Sequence, residues 1–473
     1  MSDVATVNTT SKAGVLILTK ISRRVFVTAF TGVVVAAVVM TAFGSVSLQQ
    51  DEVSLIIGDS IGAQPSFAVP DCLALTRDTA TTDAATVIAE VLWNDLDFEG
   101  EFRLIPRDVY GTIPSARSII DLPFDRWQEL GADGVVSCTV AAVGDGQIEV
   151  SARLFSVRSL ESAFGVVYTG SNRNLRAYAH QLADEIHRTQ RGLQGVARTR
   201  LAFVSDRDSQ TVLGLVENRP VKEIYLADYD GANVGRVTAN RGLNTNPAWS
   251  SDGRSIAYTS WLSGFPDVSI SHIFEGRLSN PMSGNSREQN FLPAFSPDGR
   301  MIAFNSSRDA NNDIYVANVD GSGLRRLTNN PAIDTSPTWS PNSQQIAFTS
   351  DRTGTPQIYV IGVDGTGLRR LTYETYCDRP TWSPPPFNEI AYSSRTGPGH
   401  DIKVLDLATN EIRQLTFGLG TNESPAYSPN GRHVAFMSTR GSGLKQIYTI
   451  RRDGNGLRRI TSSGNNEMPS WSR

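Results

Sequence analysis

From residue 201 onward, short apolar strands alternate with turn residues, and the whole pattern recurs. Pro247-Ala248-Trp249-Ser250 returns as Pro293-Ala294-Phe295-Ser296, Pro337-Thr338-Trp339-Ser340, Pro380-Thr381-Trp382-Ser383, Pro425-Ala426-Tyr427-Ser428 and Pro469-Ser470-Trp471-Ser472. The prolines lie 46, 44, 43, 45 and 44 residues apart. A hairpin signal follows, clearest at Asp252-Gly253, Asp298-Gly299 and Asn430-Gly431, since these pairs accept the backbone of a tight turn. Next comes a strand such as Ile302-Ala303-Phe304 or Ile346-Ala347-Phe348. A third strand, such as Ile314-Tyr315-Val316, ends at an Asp-Gly, and a fourth carries Arg325-Arg326-Leu327-Thr328.

Four short strands per repeat, with turns between them, predict one blade of a β-propeller. Leu201-Ala202-Phe203 is a sixth copy of the second strand, but no Pro-x-aromatic-Ser precedes it. The surplus copy at 468–472 can supply that missing strand. The expectation is therefore a six-bladed β-propeller over 195–473 whose C-terminal strand closes the ring and removes two exposed sheet edges. Because the aromatic of Pro-x-aromatic-Ser recurs in every blade, it is expected to pack between blades rather than bind a ligand. Two blades are irregular: residues 267–283 lack the Asp-Gly turn, and Pro384-Pro385-Pro386-Phe387 replaces a hairpin turn.

Residues 66–194 show no repeat. Strands are expected at 66–69, 135–142 and 148–156. Val87, Ile88, Val91 and Leu92 predict a helix over 84–96. Further helices are expected at 123–130 and 176–188. Strands interleaved with helices predict a small α/β sandwich domain, joined to the propeller by a linker at 191–199.

Arg23 and Arg24 precede an apolar run over 25–43, followed by small residues at Ala42, Gly44, Ser45 and Ser47. This is the pattern of an export signal over 1–47, and the paired arginines resemble a twin-arginine signal. An uncleaved anchor is the alternative, since about 19 apolar residues nearly span a bilayer. The whole chain has 44 basic and 48 acidic residues, and without 1–47 there remain 40 and 47. A mildly acidic body argues against a nucleic-acid surface. Cys72, Cys138 and Cys377 show no metal-site spacing. A Cys72–Cys138 bridge is open to the chain in an oxidising compartment, but burial as three small apolar side chains is the expected state.

The order of these parts, the Trp-Ser-Pro-Asp-Gly type of repeat and the segment Trp127-Gln128-Glu129-Leu130-Gly131-Ala132 resemble the TolB family of the Tol-Pal system. The resemblance implies a non-enzymatic periplasmic scaffold supporting outer-membrane integrity, protein transport and cell division. It implies two partners, the peptidoglycan-associated lipoprotein Pal at one propeller mouth and the inner-membrane protein TolA at an extended N-terminal segment, 48–65. Other envelope partners are compatible with it. No cofactor and no metal are implied. The corresponding lipoprotein contacts are Gln289, Asn290, Phe291 and Leu292, then Asp334, Thr335 and Ser336, with Asn246, Asp378, Arg379, Asn422 and Glu423 in comparable loops. Gln289 to Leu292 are more apolar than the family's usual segment. The corresponding TolA strand is Glu52, Val53, Ser54, Leu55, Ile56 and Ile57, whose apolar residues suit strand addition to a partner's sheet. From its residues alone the same strand reads as an edge of the α/β domain.

Three rival readings follow from local motifs. Gly58-Asp59-Ser60-Ile61-Gly62 fits the block of a serine esterase or lipase, with Asp184 and His187 as partners. Ala63-Gln64-Pro65 then breaks the helix that such an elbow needs. A peptidase of the prolyl-oligopeptidase type would need a hydrolase domain after the propeller, where none is expected. A propeller binding a small ligand or glycan would leave the α/β domain unexplained. Asp228-Tyr229-Asp230-Gly231 is a fragment of a calcium loop without the later ligands, and a hairpin turn is expected there.

Overall fold

The computed structural model describes Ile57 and residues 64–114, 116, 118, 121–144, 146–211, 220–283 and 288–472. The expected signal at 1–47, the strand residues Glu52, Val53, Ser54, Leu55 and Ile56, and Ser60 lie outside the described residues. Among the described residues, no helix is long and apolar enough to cross a membrane.

Six four-stranded antiparallel sheets follow one another around a ring. Blade 1 is built from both ends of the repeat region. Its innermost strand, Asn466–Trp471, pairs with Arg200–Ser205, which is followed by Glu223–Asp228 and Gly235–Arg236. The register sets Asn466 opposite Ser205 and Trp471 opposite Leu201. The C-terminal strand thus closes the ring, as the repeat predicts. Blades 2 to 6 begin with Asn244–Trp249, Asn290–Phe295, Asp334–Trp339, Cys377–Trp382 and Asn422–Tyr427.

The threonine that follows an apolar residue in the outermost stretch of the repeat (Val237-Thr238, Leu327-Thr328, Leu371-Thr372, Leu415-Thr416, Ile460-Thr461) has a defined task. In blades 1 and 3 to 6 the threonine hydroxyl accepts the second backbone N–H of the third strand. Ile314 N donates to Thr328 Oγ1 at 3.0 Å and Ile447 N to Thr461 Oγ1 at 2.9 Å. The same hydroxyl donates to the strand's first side chain, Asp313 at 3.2 Å or Gln446 at 2.7 Å. A two-residue outer strand is thereby anchored where few ladder bonds exist. The motif aromatics pack between blades, as expected: buried Trp339 donates its Nε1–H to Ala294 O of the preceding blade at 2.9 Å.

The α/β domain holds a mixed sheet of order β3-β1-β4-β5-β6, with β2 beside β4. Its strands are β1 (Ser66–Ala68), β2 (Leu73–Ala74), β3 (Arg103–Leu104), β4 (Gly134–Gly144), β5 (Gln147–Ser156) and β6 (Ser162–Ser171). Helices α1 (Thr79–Glu99) and α3 (Leu175–Arg191) share one core with the sheet. The short α2 (Phe124–Glu129) buries Trp127 in a second cluster with Val135 and Val157.

Several expectations need correction. Helix α1 is longer than 84–96, because the Asp78 side chain caps it, accepting Thr81 N at 2.8 Å, and Gly100 ends it at φ 68°. Strand β6 was not expected, since Gly165 and Gly170 interrupt its alternation. Residues 195–199 are no free linker: Val196, Ala197 and Thr199 are buried. Cys72 and Cys138 form a disulfide rather than remaining thiols, because β2 lies parallel to β4 and brings their Cα atoms within 4.6 Å. Cys377 is a free, buried cysteine.

The two domains are joined through α1. Phe98 stacks on His433 with centroids 4.4 Å apart and meets the edge of Tyr229 at 4.7 Å. Asp95 accepts from Tyr229 Oη at 2.5 Å and bonds His180 Nδ1 at 2.8 Å. Arg432 pairs with Glu101 and Arg458 with Asp97. The propeller groups involved include Tyr229, Asn430 and Arg432, all in hairpin turns at one end of the blades. The opposite end is free of the α/β domain.

Candidate functional site

At the free end, each innermost strand opens with the same local geometry. Its register slips by a bulge, for example between Phe291 and Ala294 and between Asp378 and Thr381. The residue before the repeat proline adopts the left-handed region in all six blades: Asn246, Leu292, Ser336, Arg379, Ser424 and Met468 have φ of 54°, 56°, 54°, 52°, 57° and 54°. None is glycine, so each costs on the order of 1–3 kcal/mol unless its surroundings enforce it. The preceding blade does so in three cases. Thr259 Oγ1 accepts Leu292 N at 3.0 Å, Asn305 Oδ1 accepts Ser336 N at 3.2 Å and Ser393 Oγ accepts Ser424 N at 3.1 Å. The six residues line one central cavity of about 180 Å³ at the mouth.

Two positions earlier, the repeat places a buried brace. Asn290, Asp334 and Asn422 are fully buried. Arg308 donates to Asn290 Oδ1 at 3.0 Å, Arg352 to both Asp334 oxygens at 2.9 Å and Arg440 to Asn422 Oδ1 at 2.9 Å. Each arginine also lies over an aromatic pair of its blade, as Arg352 does over Tyr359 at 4.8 Å. These three residues hold the loops in shape from within.

The intermediate position forms a graded ring of Thr245, Phe291, Thr335, Asp378, Glu423 and Glu467. One side is neutral and the other acidic. Asp378 accepts from Thr349 Oγ1 at 2.9 Å, and Glu423 meets His400 Nδ1 at 3.0 Å. Glu467 is buried, which pushes its pKa up, but donation from Lys222 and Lys445 outweighs this and holds the carboxyl below its ordinary value. Gln289 is exposed on the adjoining loop. Tyr373, Phe417 and Leu419, on loops entering blades 5 and 6, stand out from the same face with 75%, 72% and 67% exposure.

Of the sequence-derived residues, Asn246, Leu292, Ser336 and Arg379 line the cavity, while Phe291, Thr335, Asp378 and Glu423 lie on the partly buried ring. Sequence reasoning passed over Ser424 and Met468, although both directly precede a repeat proline. It also passed over Tyr373 and Phe417, which follow the Leu-Thr of their repeats.

At the N-terminal segment, Ile57 is buried and its N–H donates to Gln190 Oε1 at 3.0 Å. Asp184 and His187 have structural partners. Asp184 accepts from Ala197 N at 3.0 Å and Arg198 Nε at 2.8 Å, while burial drives the His187 pKa down to about 4. Asp228 to Gly231 form a hairpin turn, with Gly231 N bonded to Asp228 O at 2.9 Å. Among the described residues, no cluster of metal-ligating side chains occurs.

Residues 188–473 match the family model described as the TolB beta propeller domain, and residues 54–162 the TolB amino-terminal domain. The chain belongs to the TolB family. Within that family it is 34% identical over 265 residues to the Tol-Pal system protein TolB of Desulfosudis oleivorans, covering 55% of this chain and 57% of that one. It is 33% identical over 322 residues to the Tol-Pal system protein TolB of Bordetella pertussis, covering 68% of each. The chain thus spans little more than half the length of the Desulfosudis relative. The crystal structure of TolB from Acinetobacter baumannii superposes with a TM-score of 0.73 at 24% identity, over 88% of this chain and 98% of that one, a likeness of fold.

Proposed function

We propose that this TolB-family chain is a non-catalytic scaffold of a Tol-Pal system in the periplasm, and that the free propeller mouth binds the peptidoglycan-associated lipoprotein Pal. The observation that carries the reading is the ring of six left-handed residues before the repeat prolines. It presents a rigid, chemically varied rim on the face opposite the α/β domain. Rigid rims with exposed aromatic anchors suit protein recognition, because little side-chain freedom is lost on docking. Exposed Tyr373, Phe417 and Leu419 supply such anchors. The N-terminal segment Glu52, Val53, Ser54, Leu55, Ile56 and Ile57 engages TolA by adding to its sheet. Together the two contacts would link inner and outer membranes and support envelope integrity during division.

Capture of Pal from envelope extracts by the mature chain tests the reading. Leu292→Asp with Arg379→Glu is expected to weaken capture by about tenfold or more. Unchanged capture by a folded double variant would sink the mouth assignment. Deleting residues 51–64 is expected to abolish TolA binding and leave Pal capture intact, and persistent TolA binding refutes the strand-addition step.

A further inference from the structure

The repeat also exposes a place where one blade departs from its neighbours. In blades 1, 3, 4 and 6 the side facing the preceding blade is filled by a stacked aromatic pair: Phe203 with Tyr225, Phe304 with Tyr315, Phe348 with Tyr359 and Phe436 with Tyr448, at 6.0–6.2 Å. Each tyrosine lies beneath an arginine, Arg207, Arg308, Arg352 or Arg440. Blade 5 substitutes Lys403, paired with Glu374, opposite Tyr392. Blade 2 has no such filling. Opposite Tyr258 stands Ser269, and Ser271 occupies the register position of Ala317 and Ile361. Leu262 takes the place of the arginine two residues after the second strand, its N–H donating to Ser260 Oγ as that of Arg308 does to Ser306 Oγ.

The consequence is a groove of about 720 Å³ between blades 1 and 2. Leu226 and Val237 form one wall, with Tyr258 and Ser271 on the other. It runs the length of the seam, from Arg200 and Asp228 near the α/β domain to Asn240 and Leu262 near the free mouth. Six-residue strands make that seam about 20 Å long. Spread along it, the 720 Å³ leaves a cross-section of about 36 Å², narrow and elongated rather than globular. Leu262 and Leu278 line it while remaining 61% and 51% exposed, an apolar lining open to an occupant.

The electrostatics select the sign of that occupant. Arg200, Arg236 and Arg277 line the groove, and Arg200 lies 4.0 Å from the lining carboxylate Asp228. Arg236 already pairs with Asp208 at 2.6 Å and Arg277 with Glu275 at 3.1 Å, but both are exposed ion pairs. Such pairs contribute about 0–1 kcal/mol, so exchange for an incoming carboxylate costs little. His272 is held between Ser255 Oγ at 3.0 Å and Ser279 Oγ at 3.1 Å, fixing the adjoining wall.

We propose that this seam is a second binding site, taking an extended acidic peptide with apolar side chains between its carboxylates. It is separate from the mouth and does not depend on the Pal reading. The test uses the purified mature chain and a fluorescein-labelled peptide of alternating Glu and Leu, about eight residues long to span the seam. Saturable binding is expected in fluorescence anisotropy, with none for the matching Lys-Leu peptide. Ser269→Tyr with Ser271→Ile restores the filling of the other blades and is expected to weaken binding at least about tenfold. Arg236→Glu with Arg277→Glu leaves the core untouched and is expected to do the same, while Leu292→Asp at the mouth leaves binding unchanged. The proposal is overturned if the acidic peptide fails to bind or the Lys-Leu peptide binds equally. It also falls if both double variants bind normally, or if free glutamate competes as well as the peptide, which would make the seam a small-anion site.

Discussion

Glu99 meets the propeller with both carboxyl oxygens, accepting Val196 N at 2.7 Å and Asn430 Nδ2 at 3.3 Å. Full burial raises its pKa from 4.5 to about 8, and the Val196 N–H and nearby Arg432 only partly offset this. The native chain therefore holds this proton more tightly than the unfolded chain. That contribution to stability is fully present below pH 4.5 and is lost as pH rises through about 8. His433, whose Nε2 lies 3.1 Å from Phe98 O, has the opposite sign. Burial lowers its pKa from 6.5 to about 3, so its contribution is present above 6.5 and fades as pH falls toward 3. One interface thus loses stability above pH 6.5 through Glu99 and below pH 4.5 through His433, and the two slopes offset each other between. Glu99→Gln keeps an acceptor for Val196 N–H and carries no titrating proton. Its melting temperature is expected to stay flatter than the parent's from about pH 6.5 to 8, and an equally steep fall over that range would refute the assignment.

At the scale of elements, the innermost strand of blade 1 does the most from the fewest residues. Removing 466–473 exposes the inner edge of Arg200–Ser205 and deletes Trp471, which donates to Thr199 Oγ1 at 2.7 Å. The truncated chain is expected to lose its single cooperative thermal transition and to aggregate at an unpaired edge. A cooperative melt at the parent temperature would contradict ring closure. This closure was legible in the sequence, because six Ile-Ala-Phe-type strands start one strand ahead of six Pro-x-aromatic-Ser copies, leaving the last of these to complete the first blade. Four of the residues before the repeat prolines, Asn246, Leu292, Ser336 and Arg379, were legible for the same reason, while Ser424 and Met468 were passed over. The disulfide was not. Cys72 and Cys138 stand 66 residues apart, and only the parallel pairing of Leu73 with Thr139 makes them neighbours. Nor did the pattern separate the buried braces Asn290, Asp334 and Asn422 from cavity-lining Leu292 and Ser336. The separation arises from the bulge, which re-aims one residue per blade. The empty seam beside Ser269 stands out only when all six registers are compared in space.

Over the whole molecule, Phe98 is the hinge pin of the domain contact, packed among His433, Tyr229 and Trp471. Phe98→Ala is expected to cost about 3–5 kcal/mol and to split one calorimetric transition into separate propeller and α/β transitions. A single unshifted transition would show that the charged contacts alone hold the domains together. With the domains locked at one end of the ring, whatever docks at the free mouth meets a body that answers as one piece. The shared first blade adds a consequence for biosynthesis. Arg200 N bonds Ser472 Oγ at 2.8 Å across 272 residues, so the ring shuts only once residues 466–472 have been made and released to reach it. A message cut short, or a frame lost late in translation, leaves an open arc with raw edges for proteases. The strand Asn466–Trp471 therefore marks the point in synthesis before which no closed ring can form.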